Sequence, residues 1–72
     1  MGSKVCKFYK ILKELRLQNG WSRQYIAEKL GVTYQAYQAY ELGVAVPSLE
    51  RLVSLADLFD VSLDELVGRD KY

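Results

Sequence analysis

The tripeptide Gly31-Val32-Thr33 interrupts a helix-forming run near the middle of the chain, and it limits the possible folds more than any other stretch. Gly31 can adopt the left-handed backbone conformation that ends a helix, because glycine has no Cβ atom. Thr33 can begin the next helix, since its hydroxyl can accept a hydrogen bond from a free backbone N–H of the new first turn. Ala27 is small enough to let two helices cross closely. The spacing therefore predicts two short helices joined by a tight turn.

Composition excludes several kinds of functional site. The chain has 72 residues, no histidine and a single cysteine, Cys6. It therefore cannot form an internal disulfide, it has too few ligands for a zinc site, and it has no histidine for acid–base catalysis. We expect no metal, no cofactor and no enzyme activity. The apolar runs are too short to cross a membrane, and the use of cysteine indicates a reducing, cytoplasmic environment.

Apolar residues recur at helical spacing along the chain, and no stretch shows the two-residue period of a strand. Ser48 is placed to cap a helix, and Ser62 can form a capping box with Glu65. We predict an all-α fold with helices at residues 4–18, 23–30, 34–42, 49–59 and 63–67. The apolar sets are Val5, Phe8, Ile11, Leu12 and Leu15 in the first helix and Leu49, Leu52, Val53, Ala56 and Phe59 in the fourth. The length predicts a single domain, 1–72, with its core at about 5–68 and flexible ends at 1–4 and 69–72.

Charge is distributed unevenly along the chain, although the formal net charge is only +1. Residues 1–23 carry six lysines and arginines against one glutamate, whereas residues 24–72 carry four against eight acidic residues. Lysines on a solvated helix often do no more than keep a protein soluble. Beside two helices joined by a tight turn, however, the basic segment indicates a surface that can meet phosphate groups.

Four strings of residues occur in a fixed order around the predicted turn. They are Leu12-Lys13-Glu14-Leu15-Arg16, Ser22 with Ile26-Ala27-Glu28-Lys29-Leu30-Gly31-Val32, Tyr40-Glu41-x-Gly43-x-x-x-Pro47-Ser48-Leu49, and Val61-Ser62-Leu63-Asp64-Glu65-Leu66. Over residues 5–68 they resemble the Cro/C1-type (xenobiotic-response-element) family of phage repressor domains. The resemblance implies a compact five-helix bundle with a central helix-turn-helix. It also implies a repressor-like transcriptional regulator that binds double-stranded DNA sequence-specifically, usually as a homodimer on a two-fold operator.

The resemblance assigns the DNA contacts to the first residues of the second and third helices. The third helix would enter the major groove, where Gln35 can pair with adenine and Ala39 can touch a thymine methyl group. Tyr34 could contact either a thymine methyl group or a phosphate. For Gln38 the preferred interpretation is plain surface, with a base contact as the alternative. The resemblance also implies that Arg23 and Thr33 contact phosphates of the DNA backbone. The predicted DNA-binding residues are Arg23, Thr33, Tyr34, Gln35, Gln38 and Ala39.

Other residues of this region are expected to hold the helices together. Helical spacing turns Tyr37 and Tyr40 toward the core, and Trp21 is expected to anchor the core as well. The resemblance further implies a mostly buried ion pair between Arg16 and Glu41. This pair would tie the first helix to the end of the third.

The turn Val44-Ala45-Val46 departs from the family pattern, because relatives often carry Lys, Arg or Asn there against the DNA backbone. Backbone N–H groups at the start of the fourth helix could still meet a phosphate. An apolar turn also suits a protein contact, which we expect to be the second subunit of a homodimer. In the alternative interpretation, Val44 or Val46 folds under to cover the core. The alternative function is a protein-interaction or antitoxin-like module that retains the fold but binds DNA weakly.

Overall fold

The computed structural model describes residues 7–68. This part of the chain forms five helices: α1 (Lys7–Asn19), α2 (Arg23–Leu30), α3 (Tyr34–Leu42), α4 (Leu49–Phe59) and α5 (Leu63–Val67). The all-α prediction and the expected number of helices are confirmed. The predicted start of the first helix at residue 4, the core position of Val5 and the flexible ends at 1–4 and 69–72 lie outside the described residues. Within residues 7–68, no helix combines the length and the apolar character that crossing a membrane requires.

Each helix from α2 to α5 begins at a hydroxyl residue that satisfies a free backbone N–H. The hydroxyl oxygen accepts a hydrogen bond from the backbone N–H three residues later in every case: Ser22, Thr33, Ser48 and Ser62. Gly31 ends α2 and Gly43 ends α3, with left-handed φ angles of 76° and 79°. Asp60 ends α4 at a φ of 59°, which a short polar side chain tolerates. The predicted turn between α2 and α3 therefore forms as expected, with Gly31 ending one helix and Thr33 capping the next.

The core lies where α1, α2 and α3 meet α4 and α5. Tyr37 and Tyr40 are buried in it, as helical spacing predicts, and Ala27 is almost fully buried beside them. Trp21 is half-buried and stacks on Phe59 with ring centroids 5.5 Å apart, which confirms its role as a core anchor. The buried apolar residues are Phe8, Leu12, Ile26, Ala27, Tyr37, Tyr40, Leu55, Ala56, Phe59 and Leu66.

The α4 helix is rotated relative to the apolar face predicted for it. Leu49 and Val53 are 70% and 41% exposed, whereas Leu55, absent from the predicted set, is fully buried. The stripe that faces the core consists of Leu52, Leu55, Ala56 and Phe59, a spacing that fits one face of a helix. The apolar side chains of Leu49 and Val53 are consequently left on the surface.

Candidate nucleic-acid interface

The α3 helix divides into an anchored face and an outward face. Tyr37, Tyr40 and Glu41 are buried, whereas Tyr34 and Gln35 are exposed at its first turn. Gln38 and Ala39 are half-buried, so their side chains are less accessible than those of Tyr34 and Gln35. Two of the predicted base-contacting residues thus project at the start of the helix.

Thr33 stands at the N-cap of α3 and is exposed. Its Oγ1 accepts a hydrogen bond from the backbone N–H of Ala36 at 3.1 Å, as expected of a capping hydroxyl. The hydroxyl proton is not used in that bond and can be donated to an incoming acceptor. Thr33 can therefore cap the helix and contact a phosphate oxygen at the same time.

A buried carboxylate joins α1 to the end of α3. Glu41 Oε2 accepts a hydrogen bond from Arg16 Nε at 2.5 Å, and Glu41 Oε1 accepts one from Arg16 Nη2 at 3.2 Å. The Tyr37 hydroxyl donates to Glu41 Oε2 at 2.6 Å. Arg16 also donates through Nη1 to the carbonyl oxygen of Trp21 at 3.1 Å. The ion pair expected between Arg16 and Glu41 is therefore present and buried.

Arg23, the expected phosphate contact on α2, also reaches this carboxylate. Its Nε donates to Glu41 Oε1 at 3.0 Å, and its side chain is 35% exposed. The sequence does not predict this contact, because it depends on the angle between α2 and α3. The sequence signal that points toward it is the positive charge of Arg23 itself.

The surroundings of Glu41 shift the pKa values of the groups in contact with it. Burial alone raises the pKa of the Glu41 carboxyl, but the hydrogen bonds from Arg16, Tyr37 and Arg23 outweigh burial and lower it. The pKa of Tyr37 is raised, first by burial and then by its bond to Glu41. The pKa of Arg23 is raised mainly by its bond to Glu41, with a smaller contribution from the nearby Tyr34 hydroxyl. Glu41 is therefore ionised and Tyr37 neutral at ordinary pH.

This network reduces the charge that the basic segment offers to a polyanion. Arg16 is buried against Glu41, and Arg23 shares the same carboxylate. Lys10 and Lys13 remain exposed on α1. Fewer cations of residues 1–23 are thus available to phosphate than the sequence count indicates. No cluster of three or more side chains suited to a metal ion forms within residues 7–68.

Comparison with known proteins agrees with this geometry. The HTH_3 family, described as helix-turn-helix, matches residues 12–66, a span that contains α2, the turn and α3. The chain belongs to this family. The resemblance to Cro/C1-type helix-turn-helix domains is thereby confirmed.

Several curated members of the helix-turn-helix family are similar to this chain. The transcriptional regulator AnsR of Bacillus subtilis is 53% identical over 60 residues, which cover 83% of this chain and 52% of that protein. The uncharacterised regulator YqaE of the same organism is 43% identical over an equal span. The cryptic phage CTXphi transcriptional repressor RstR of Vibrio cholerae is 41% identical over 61% of this chain and 39% of that protein. The chain thus spans about half the length, or less, of these relatives. No solved structure matches it significantly.

Proposed function

We propose that this chain is a sequence-specific, double-stranded DNA-binding transcriptional regulator, repressor-like, that places α3 in the major groove. The observation that carries the proposal is the division of α3, because Tyr34 and Gln35 are exposed while Tyr37, Tyr40 and Glu41 anchor the helix. The relatives support it, since they are described as transcriptional regulators and include a phage repressor. A binding protein without enzyme activity is the corresponding expectation, and the single cysteine fits a cytoplasmic location.

Gln35 is the leading candidate for reading sequence. Its amide NH2 group can donate to N7 of adenine while its carbonyl oxygen accepts from the N6 amino group, and this donor–acceptor pattern is specific to adenine in the major groove. Tyr34, one residue earlier, is available to a phosphate or a thymine methyl group, and Ala39 to a methyl group. Because Gln38 is half-buried, we assign it only a secondary role in contacting bases. Sequence preference is therefore assigned to the first turn of α3.

Phosphate contacts are assigned to the starts of the helices. Arg23 opens α2 and Thr33 caps α3, and among residues 7–68 both retain donors that make no full hydrogen bond. The start of α4, capped by Ser48, offers backbone N–H groups to a third phosphate. Such contacts fix the orientation of a protein on the duplex and carry no sequence information.

We further propose that two copies of the chain pair through an apolar surface around the turn between α3 and α4. This apolar surface consists of five side chains that are 41–80% exposed: Leu42, Val44, Val46, Leu49 and Val53. Neither Val44 nor Val46 covers the core, because Ala45 is the turn residue that packs against it. Leu49 and Val53 stand one helical turn apart and extend the surface along α4.

The area of the apolar surface suits a second copy. At these exposures, five aliphatic side chains present roughly 200–400 Å² of apolar surface, taking about 60–120 Å² for each fully exposed one. A stable interface buries about 800 Å² per partner, of which rather more than half is apolar. The apolar surface therefore provides roughly 40–90% of the apolar area that a dimer interface needs. Two copies related by a two-fold axis would present two α3 helices to half-sites about one helical turn apart.

Selection from random duplex DNA tests the proposed function, followed by fluorescence anisotropy with the selected site. We expect a two-fold motif for the wild type. Gln35→Ala should relax one base-pair position in each half-site at a cost of about 1–3 kcal/mol. The control is Gln18→Ala on α1, an exposed glutamine outside the interface, which should return the wild-type motif. An unchanged motif for Gln35→Ala would transfer the reading role to Tyr34.

The second candidate function is a protein-interaction or antitoxin-like module that keeps the fold and binds DNA weakly. The apolar surface favours it, and so does the contact of Arg16 and Arg23 with Glu41, which reduces the positive charge offered to DNA. Its expected result is the absence of binding to any duplex at low salt, together with capture of a partner protein that competes with self-association. Binding to a selected duplex would decide in favour of the regulator.

A further inference from the structure

Arg23 is held differently from an ordinary surface arginine. A free guanidinium on a long side chain samples many rotamers, and binding must then restrict them. Here Nε of Arg23 donates to Glu41 Oε1 at 3.0 Å. The acceptor is itself fixed, because the Glu41 side chain is only 2% exposed and also accepts hydrogen bonds from Arg16 and Tyr37. One edge of the Arg23 guanidinium is thus attached to a rigid group inside the protein.

The Nη donors of Arg23 are available to a ligand. Among residues 7–68, neither Nη atom has a partner at full hydrogen-bond geometry, although the Tyr34 hydroxyl lies nearby and contributes to the raised pKa of Arg23. About a third of the side chain is exposed. Two guanidinium groups surround the single carboxylate, so the cluster retains one excess positive charge. Arg16 is buried, and the accessible part of that charge therefore lies on Arg23. A guanidinium with two free Nη groups matches the spacing of two oxygens on one phosphate.

We propose that Glu41 is a positioning residue for DNA binding, which holds Arg23 through Nε so that both Nη groups meet one phosphate of the duplex. The inference rests on the proposed function. The buried network that ties α1 to α3 thereby also fixes the phosphate contact of α2. Arg23 sets the protein on the DNA backbone, and Glu41 acts only through it.

Arg23→Lys tests the geometry without removing the charge. A lysine has one ammonium group, which cannot bond Glu41 and a phosphate in the way that a guanidinium does. We expect the affinity for a selected duplex to fall about tenfold, the loss of roughly one charge-assisted hydrogen bond, with the salt dependence unchanged. The control is Lys29→Arg in the last turn of α2, an exposed, charge-preserving exchange away from the helix starts, and it should bind like the wild type. Wild-type affinity for Arg23→Lys, or an equal loss for Lys29→Arg, would overturn the proposal.

A double-mutant cycle tests the role of Glu41 itself. Glu41→Gln should weaken duplex binding in the wild-type background but have no further effect on binding once Arg23 is alanine, provided that circular dichroism shows both variants folded. An equal effect in both backgrounds would mean that Glu41 acts through the fold, and would overturn the proposal. If Glu41→Gln does not fold, Arg23→Lys alone decides. Failure of the wild type to bind any duplex would instead remove the proposed function, so the two failures are distinguishable.

Discussion

Glu41 is the residue on which the junction of α1, α2 and α3 depends. Its two carboxylate oxygens accept four hydrogen bonds, from Arg16, Tyr37 and Arg23. Within residues 7–68, every fully buried side-chain nitrogen and oxygen atom has a hydrogen-bond partner. A buried network is costly when it is incomplete, because the remaining charge has been removed from water without compensation. The contribution of Glu41 therefore depends on its partners being present.

Removing one partner of the buried pair should be far more harmful than removing both. Arg16→Met or Glu41→Leu leaves a poorly solvated charge, so each single change should lower the free energy of unfolding by about 3–5 kcal/mol. The double variant should lose much less than the sum of the two. Urea denaturation of the four proteins measures this coupling. Single losses below about 1 kcal/mol would show that the pair behaves like a surface ion pair.

The lowered pKa of Glu41 predicts a loss of stability in acid. Glu41 has an ordinary pKa of 4.5, which applies to the unfolded chain, and a lower pKa in the folded protein. Between these two values the unfolded chain binds more protons, so its population rises as the pH falls. The stabilisation is fully present above pH 4.5 and is lost as the pH falls through the folded pKa. This stabilisation amounts to about 1.4 kcal/mol for each unit of difference between the pKa of Glu41 in the unfolded chain and its pKa in the folded protein.

Urea denaturation at several pH values from 7 to 2 measures this dependence. In Glu41→Gln the amide does not titrate, so the free energy of unfolding should change less below pH 4.5 than in the wild type. The other carboxylates are common to both proteins and cancel in the comparison. If the free energy of unfolding had the same pH dependence in the wild type and in Glu41→Gln, the lowered pKa assigned to Glu41 would be contradicted.

The sequence predicts some of the contacts at the junction of α1, α2 and α3, but not all of them. The resemblance to the family implies the pair of Arg16 and Glu41, and helical spacing alone turns Tyr37 toward the core. The bond from Arg23 was not predictable, since it depends on how α2 crosses α3. The sequence likewise shows a charge at residue 23 without showing that Glu41 partly neutralises it.

At the level of helices, the end of α3 packs closely against α1. A Cβ atom placed on Gly43 would lie 3.1 Å from Cδ1 of the Tyr9 ring, which is tighter than ordinary contact. Gly31 ends α2 with nearly the same φ, yet a Cβ there would meet nothing within 4 Å. The two glycines thus share a backbone requirement and differ in their surroundings.

Replacing these glycines by alanine should separate backbone strain from crowding. Gly31→Ala should lower the free energy of unfolding by about 1–2 kcal/mol, the cost of a left-handed alanine. Gly43→Ala carries the same cost and should lose roughly 1 kcal/mol more, because Tyr9 must move. Thermal and urea denaturation of both variants provide the comparison. Equal losses would mean that the Tyr9 ring yields freely.

The helix bounds were predictable and the rotation of α4 was not. Capping residues such as Ser22, Thr33 and Ser48 act on the backbone next to them, so the local sequence is enough to predict where each helix begins. The α4 helix contains more apolar residues than one face can bury, and its packing against α2 and α5 decides which of them enter the core. Helical spacing alone therefore places Leu49 and Val53 on the buried face and omits Leu55, whereas the structure exposes the first two and buries Leu55.

Considered together with the rest of the protein, the two ends of α3 have different proposed roles. The first turn presents polar side chains to DNA in the proposed function, and the last turn leads into the apolar surface. Pairing through that surface would set the distance between two first turns. Dimer formation and operator binding should therefore be thermodynamically linked, since each favours the same arrangement.

A charge on the apolar surface should oppose pairing. Val46 is 80% exposed, so Val46→Lys should leave folding nearly unchanged while it weakens self-association and binding to a two-fold site. The control is Leu17→Lys on α1, an apolar residue that is 58% exposed outside this surface. Sedimentation equilibrium with and without DNA measures both effects. Unchanged association with tighter DNA binding would show that the turn faces phosphate.

The burial pattern of α3 also determines how readily this scaffold could acquire a new target. Tyr34 and Gln35 can be exchanged for many side chains without opening a cavity in the core, because neither packs against it, although Tyr34 lies beside Arg23. Gln38 and Ala39 are half-buried, so replacements there are restricted in size. A change in the DNA sequence that the protein prefers would thus involve mainly Tyr34 and Gln35. Each position can take about twenty residues, and only a small set of neighbouring residues must remain compatible. Divergent copies of such a domain could recognise different DNA while folding at almost the same temperature.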